Sequence, residues 1–66
     1  MASNTRGKLK ENFEGMHRNF DWVLHHGTKS IQLIGEHKPN LSEALQALME
    51  QVIELDKLTQ AIYHQL

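Results

Sequence analysis

The hydrophobic positions in the second half of the chain recur with alternating spacings of four and three residues. They are Leu41, Leu45, Leu48, Val52, Leu55, Thr59, Ile62 and Leu66. At 100° per residue these positions stay within about 60° of one direction, which predicts a helix over residues 41–65 with a coiled-coil-like seam. Apolar residues also flank the seam on both sides, so the apolar arc exceeds the roughly 100° that one neighbouring helix covers. We therefore expect this helix to contact more than one other helix.

The first half shows the same periodicity and predicts a helix over residues 5–37. Its apolar positions are Leu9, Phe13, Met16, Phe20, Val23, Leu24, Gly27, Ile31 and Ile34. The phase holds through Gly27, which favours one continuous helix. The alternative is a break in "HHGT", because histidines followed by Gly and then Thr are also typical of a helix end and a new helix start. The pattern thus predicts two long helices, or three with a break near Gly27.

The only proline, Pro39, separates the two halves. Because the residue before a proline is pushed out of the α region, the first helix should stop near His37, with a turn at residues 38–40. Asn40 precedes Glu43 by three residues, which is a variant of the capping box at a helix start. We expect an all-α antiparallel helical hairpin forming a single domain over residues 1–66.

The length and the absence of cysteine make self-association the expected source of stability. A chain of 66 residues without cysteine has no disulfides and no thiolate zinc site to support a marginal core. Two hairpins packed as a four-helix bundle would cover the wide apolar arc of the second helix. We expect a homodimer, with self-association through Leu45, Leu48, Val52, Leu55 and Ile62.

The charge balance argues against a general attraction to nucleic acid. Seven Lys and Arg stand against eight Asp and Glu, so no strong basic field exists. The alternative is a nucleic-acid-binding dimer that uses Arg6, Lys8 and Lys10 near the N-terminus. No apolar run approaches a membrane span and the first residues lack the order of a signal peptide, so we expect a cytoplasmic protein with no membrane partner.

Trp22, the only tryptophan, marks the candidate binding surface. With the seam of the first helix at 0°, Trp22 lies at about 200°, on the side that faces away from the second helix. The residues assigned to this surface are Arg18, Trp22, His25, Lys29 and Leu33. An outward Trp beside Arg is typical of an interface hot spot for a protein partner. The alternative is that Trp22 rests on a second subunit or on folded-back N-terminal residues.

Glu14 and His17 are candidate metal ligands, because they form an E-x-x-H pair with the spacing found in di-iron bundles. Such sites need carboxylates on the facing helix, and the second helix offers only Asp56 at the edge of its seam. We expect no metal, no cofactor and no catalytic residue. Asp56 is expected instead to pair with a Lys or His of the other helix.

The segment "ELDKLTQAIYHQL" is similar to the small helical-hairpin phosphatases of sporulation regulators, whose signature has Ser four residues before Asp. Asp56 stands at the Asp position and Val52 at the Ser position. Because the similarity covers about a dozen residues and lacks the serine, it implies no activity here. The sequence favours a small non-catalytic regulatory or adaptor protein that self-associates and binds a protein through the outer face of its first helix.

Overall fold

The computed structural model describes residues 2–66, with side chains from residue 4 onward. It consists of two α-helices, α1 (Ala2–Ile34) and α2 (Pro39–Tyr63), which pack against each other as a hairpin, and this part of the chain contains no strand. The hairpin measures 55 × 15 × 11 Å along its principal axes. The predicted all-α hairpin is confirmed. Helix α1 is continuous through Gly27, so the three-helix alternative is not realised.

The turn is built from a glycine helix end and a proline helix start. Helix α1 ends at Ile34, three residues earlier than expected, because Gly35 takes a left-handed conformation with φ 58° that stops the helix. Helix α2 begins at Pro39, two residues earlier than expected, with Lys38 as its N-cap. Proline suits a first helical position because its missing N–H would have no acceptor there. The Asn40 capping box does not form, since Asn40 already lies inside the helix.

The side of α2 that faces α1 differs from the predicted seam. The buried and half-buried residues of this half of the chain are Ser42, Leu45, Met49, Val52, Asp56, Thr59, Gln60 and Tyr63 in α2, and Leu66 beyond its end. The predicted seam shares four positions with this set, but its other four are exposed: Leu41, Leu48, Leu55 and Ile62. Leu48 and Leu55 are 53% and 51% exposed, so they lie outside the hairpin core. Of the predicted self-association residues, Leu45 and Val52 lie in the hairpin interface.

The interface between the two helices is thin. Phe13, Phe20 and Leu24 of α1 are half-buried, and Val52 is the one hydrophobic residue in the described part of the chain that is buried, at 7% exposure. Thr59 is also buried, and its hydroxyl donates to the Leu55 carbonyl at 2.8 Å. The apolar contact inside one hairpin therefore gives little hydrophobic stabilisation, because that stabilisation follows the area removed from water.

Gly27 lets the helices approach closely at the middle of the hairpin. A Cβ atom at this position would lie 2.6 Å from Met49 Sδ and 3.0 Å from Met49 Cγ. The hydroxyl of the neighbouring Thr28 lies 3.9 Å from the same sulfur. Gly27 thus belongs to the interface, which explains why the apolar phase of α1 runs through it without a break.

We predict that alanine substitutions at two glycines of α1, Gly15 and Gly27, have different effects on stability. Gly15→Ala should raise the free energy of unfolding by about 1 kcal/mol, because alanine is the better helix former and the added methyl meets only an Arg18 side-chain nitrogen at 3.9 Å. Gly27→Ala should gain less or lose stability, because Met49 must move. Urea unfolding measures both changes. In a Met49→Ala background Gly27→Ala should recover the full gain, and an equal gain at both sites in the wild-type background would contradict the close contact.

Candidate functional site

The five residues assigned to the candidate binding surface lie on the side of α1 away from α2. All of them are exposed: Arg18, Trp22, His25, Lys29 and Leu33. The indole of Trp22 is 60% exposed and Leu33 is 86% exposed. Their spacing of three or four residues keeps the set on one broad side of the helix. We call these five residues the outer face of α1.

Two histidine rings contact the indole of Trp22. The His26 ring is stacked on Trp22 with centroids 5.6 Å apart, and the His25 ring meets it edge-on at 5.8 Å. Both contacts follow from the i, i+3 and i, i+4 spacing of a helix. The predicted surface includes His25 but not His26, although the same spacing rule identifies both.

A shallow depression lies beside the indole. Arg18, Asp21, Trp22 and His25 line it, so a guanidinium, a carboxylate, an indole and an imidazole meet at one place. Asp21 was not predicted as part of this surface. Its position three residues after Arg18 and four before His25 is the signal that could have included it.

The contact between His17 and Asp56 joins the two helices at the edge of the interface. His17 Nδ1 donates to both carboxylate oxygens of Asp56, at 2.9 and 2.8 Å. The Asp56 side chain is 17% exposed, whereas that of His17 is 42% exposed. On the other side of the ring, Nε2 lies 3.6 Å from a carboxylate oxygen of Asp21. The expectation that Asp56 pairs with a Lys or His of the first helix is confirmed.

A second polar contact between the helices lies closer to the end of the hairpin where both chain termini are found. The Tyr63 hydroxyl donates to the Glu14 carboxylate at 2.8 Å, and this hydrogen bond raises the pKa of Tyr63. The Lys10 ammonium lies 5.8 Å from the centroid of the Tyr63 ring. Of the basic residues in the nucleic-acid alternative, Lys10 is therefore engaged with α2, whereas Arg6 and Lys8 are exposed on α1.

The candidate metal ligands Glu14 and His17 do not point to a common site, although their E-x-x-H spacing would allow it. Glu14 accepts from Tyr63, and His17 turns to Asp56. Within the described chain, the group whose ligand atoms approach one another is His17, Asp21 and Asp56, with those atoms inside 4.8 Å. In this group both Asp56 oxygens accept from His17 Nδ1, and His17 Nε2 lies 3.6 Å from Asp21. The observed role of the group is to link α1 to α2.

A comparison of the chain with models of protein families, with curated proteins and with solved structures found no match. In the described range, neither helix combines the length and the apolar character that crossing a membrane requires.

The His17–Asp56 contact makes stability depend on pH. The hydrogen bond to Asp56 raises the pKa of His17 above its ordinary value, with a further contribution from the charges of Asp56 and Asp21, while desolvation lowers it. The folded state thus binds a proton more tightly than the unfolded state. Its stabilising effect is fully present below the ordinary histidine pKa of about 6.5 and is lost as the pH rises through the raised pKa.

We predict that Asp56→Asn removes this component of the pH dependence. Urea unfolding at constant protein concentration, at about pH 6 and about pH 9, should show a smaller loss of stability in Asp56→Asn than in wild type. The comparison with wild type isolates the contribution of the His17–Asp56 contact. Asp21→Asn is the matched control and should change the difference less, because Asp21 is 62% exposed and 3.6 Å from the ring. An unchanged pH difference in Asp56→Asn would contradict the contact.

Proposed function

We propose that this chain is a small non-catalytic regulatory or adaptor protein of the cytoplasm, which self-associates and binds a protein partner through the outer face of α1. The observation that carries the proposal is the 60% exposure of Trp22, the only tryptophan, in the middle of a surface that also holds Arg18. Trp and Arg are enriched among the residues that dominate binding energy at protein interfaces.

The chemistry of the outer face favours a particular kind of partner segment. Arg18 and Lys29 offer positive charge on either side of Trp22, and Leu33 adds an apolar side chain further along the helix. A partner that presents an apolar side chain between carboxylates would match this order. Its apolar group would lie on the indole, and a carboxylate could accept two parallel hydrogen bonds from the Arg18 guanidinium.

The setting of the indole also supports binding. The rings of His25 and His26 pack against Trp22 at 5.8 and 5.6 Å, so the indole is restricted before any partner arrives. Ordering an exposed, rotamer-rich side chain on binding costs on the order of 1 kcal/mol, and part of that cost is avoided here. Because the residues stand on a helix and not on a loop, their spacing is fixed in advance.

The non-catalytic part of the proposal rests on how the ionisable groups are used. His17 and Asp56, which could in principle exchange protons with a substrate, are hydrogen-bonded to each other across the helix pair. Glu14 likewise accepts from Tyr63. These contacts lie between the helices, whereas the exposed indole lies on the opposite side of α1, so neither the His17–Asp56 pair nor the Glu14–Tyr63 pair belongs to the binding surface.

We predict that Trp22→Ala weakens partner binding by about 30-fold or more, which corresponds to the usual hot-spot threshold of about 2 kcal/mol. The full chain would be used to capture partners from the native lysate, and the affinity of each captured protein would then be measured by calorimetry. Ile53→Ala is the matched control, because Ile53 is also an exposed hydrophobic residue, at 42%, but lies on α2. It should leave the affinity unchanged.

The fluorescence of Trp22 provides an independent reading, since no other tryptophan contributes. The free protein should emit as a solvated indole, and the emission should shift to the blue when a captured partner is added. A partner that binds wild type and Trp22→Ala equally, without changing the emission, would contradict the proposal. So would an indole already shielded from quenchers in the free protein.

A further inference from the structure

Most of the large hydrophobic side chains that the hairpin leaves exposed fall into two stripes with seven-residue spacing. The stripe on α1 consists of Leu9, Met16 and Val23, and that on α2 of Leu41, Leu48, Leu55 and Ile62. Their exposures lie between 37% and 53%, the values of Met16 and Leu48. Such partial exposure is expected for residues at the border of the helix–helix contact. We call the two stripes together the apolar face.

The two stripes lie on the same side of the hairpin. Each stripe residue comes one position before a half-buried residue of the interface; these interface residues are Lys10, His17 and Leu24 on α1, and Ser42, Met49, Asp56 and Tyr63 on α2. One position back is a rotation of 100° in the same sense on both helices. In an antiparallel pair, the same rotation away from the shared interface leads to the same side. The stripes therefore run next to each other as one surface.

Among the described residues, the outer border of the two stripes carries no Asp, Glu, Lys or Arg. The positions three residues after each stripe residue, which form its outer border, are Asn12, Asn19, His26, Ala44, Gln51, Leu58 and Gln65. By the same periodicity, the opposite side of the hairpin carries Glu11, Glu14, Arg18, Asp21, Glu43, Glu50 and Lys57. The depletion of charge together with exposed aliphatic side chains is typical of the core of a protein interface.

The side of the hairpin that carries the apolar face is large enough for a stable dimer interface. The hairpin extends over 55 by 15 Å, so one broad side amounts to about 800 Å². A stable protein interface buries about 800 Å² on each partner. Seven-residue spacing on both helices is also the pattern by which four-helix bundles pack. A second hairpin presents a surface of the same length and the same charge-free composition, as a two-fold interface demands.

The small hydrophobic core of the hairpin indicates that the apolar face is covered at all times by a second copy of the chain. Val52 is the one buried hydrophobic residue in the described part of the chain. A chain of this size without cysteine needs stabilisation from outside its own core. A partner that is met only occasionally cannot supply it, whereas a second copy is present whenever the protein is made.

We propose that two copies of this chain pack their apolar faces together and form an antiparallel four-helix bundle. The inference rests on the self-association in the proposed function and assigns it a surface. Leu48, Leu55 and Ile62 of the predicted self-association set belong to the apolar face, whereas Leu45 and Val52 stabilise the hairpin itself. The outer face of α1 shares no residue with the apolar face, so Trp22 stays accessible in the bundle, once on each copy.

We predict that Leu48→Asp disrupts the dimer and that Ile53→Asp does not. Wild type should sediment as a dimer at tens of micromolar, and Leu48→Asp should dissociate at least about 100-fold more readily, because its carboxylate would be buried without a partner. Ile53 is the matched control, since it is 42% exposed but lies on the opposite side of the hairpin. Ile53→Asp and Trp22→Ala should both remain dimeric.

Circular dichroism at the same concentrations covers the case in which the Leu48→Asp monomer does not fold. Helix loss in Leu48→Asp with full helicity in Ile53→Asp supports the proposal, because Leu48 lies outside the hairpin core. The wild-type melting temperature should also rise with protein concentration. A wild-type monomer that is fully helical, or equal dimerisation of both Asp variants, would overturn the proposal. A dimer that Leu48→Asp breaks, but that captures no partner through Trp22, would leave this inference intact and remove only the partner function.

Discussion

Two helices can cover only one side of each other, and the rest of this structure depends on that constraint. The contact between α1 and α2 leaves Val52 as the one buried hydrophobic side chain in the described residues. Hydrophobic burial is the dominant favourable contribution to folding, so a single helix pair is a weak basis for stability. The interface compensates in two ways. Gly27 admits the Met49 side chain at close range, and His17 binds Asp56 through both carboxylate oxygens.

The sequence predicts the hairpin well because helix periodicity and a central proline are strong local signals. It predicts the rotation of α2 poorly. Two seams with 4–3 spacing overlap in the second half of the chain and share four positions, Leu45 and Val52 among them, and the apolar pattern fits the predicted seam better than the observed one. What separates them is the fit with α1, where Met49 needs the space at Gly27 and Asp56 needs His17. Such long-range fit is not contained in the periodicity of either helix.

The end of α1 was misplaced for a different reason. Pro39 restricts the residue before it, but Gly35 stops the helix earlier by adopting a positive φ that favours glycine. Both signals are local, and Gly35 determines where α1 ends because it comes before Pro39 in the chain. The outer face of α1 was assigned correctly as exposed because Trp22 lies opposite the apolar phase of its helix. Asp21 and His26 were missed there, although their spacing from Arg18 and Trp22 would have included them.

The rotation of α2 also determines what surface remains for other molecules. If α2 turned to place Leu48 and Leu55 against α1, Asp56 would move away from His17 and Met49 would leave Gly27. The hairpin would then gain aliphatic contacts, but it would lose the hydrogen bonds to His17 and the close approach of the helices. A polar pair at a helix interface can fix a register at some expense of stability. Here the His17–Asp56 pair favours the rotation of α2 that leaves Leu48 and Leu55 outside the helix–helix interface. These leucines then lie next to the apolar stripe of α1. The thin core and the apolar face thus have one origin, because the contacts that fix the helix pair are those that leave its most hydrophobic side uncovered.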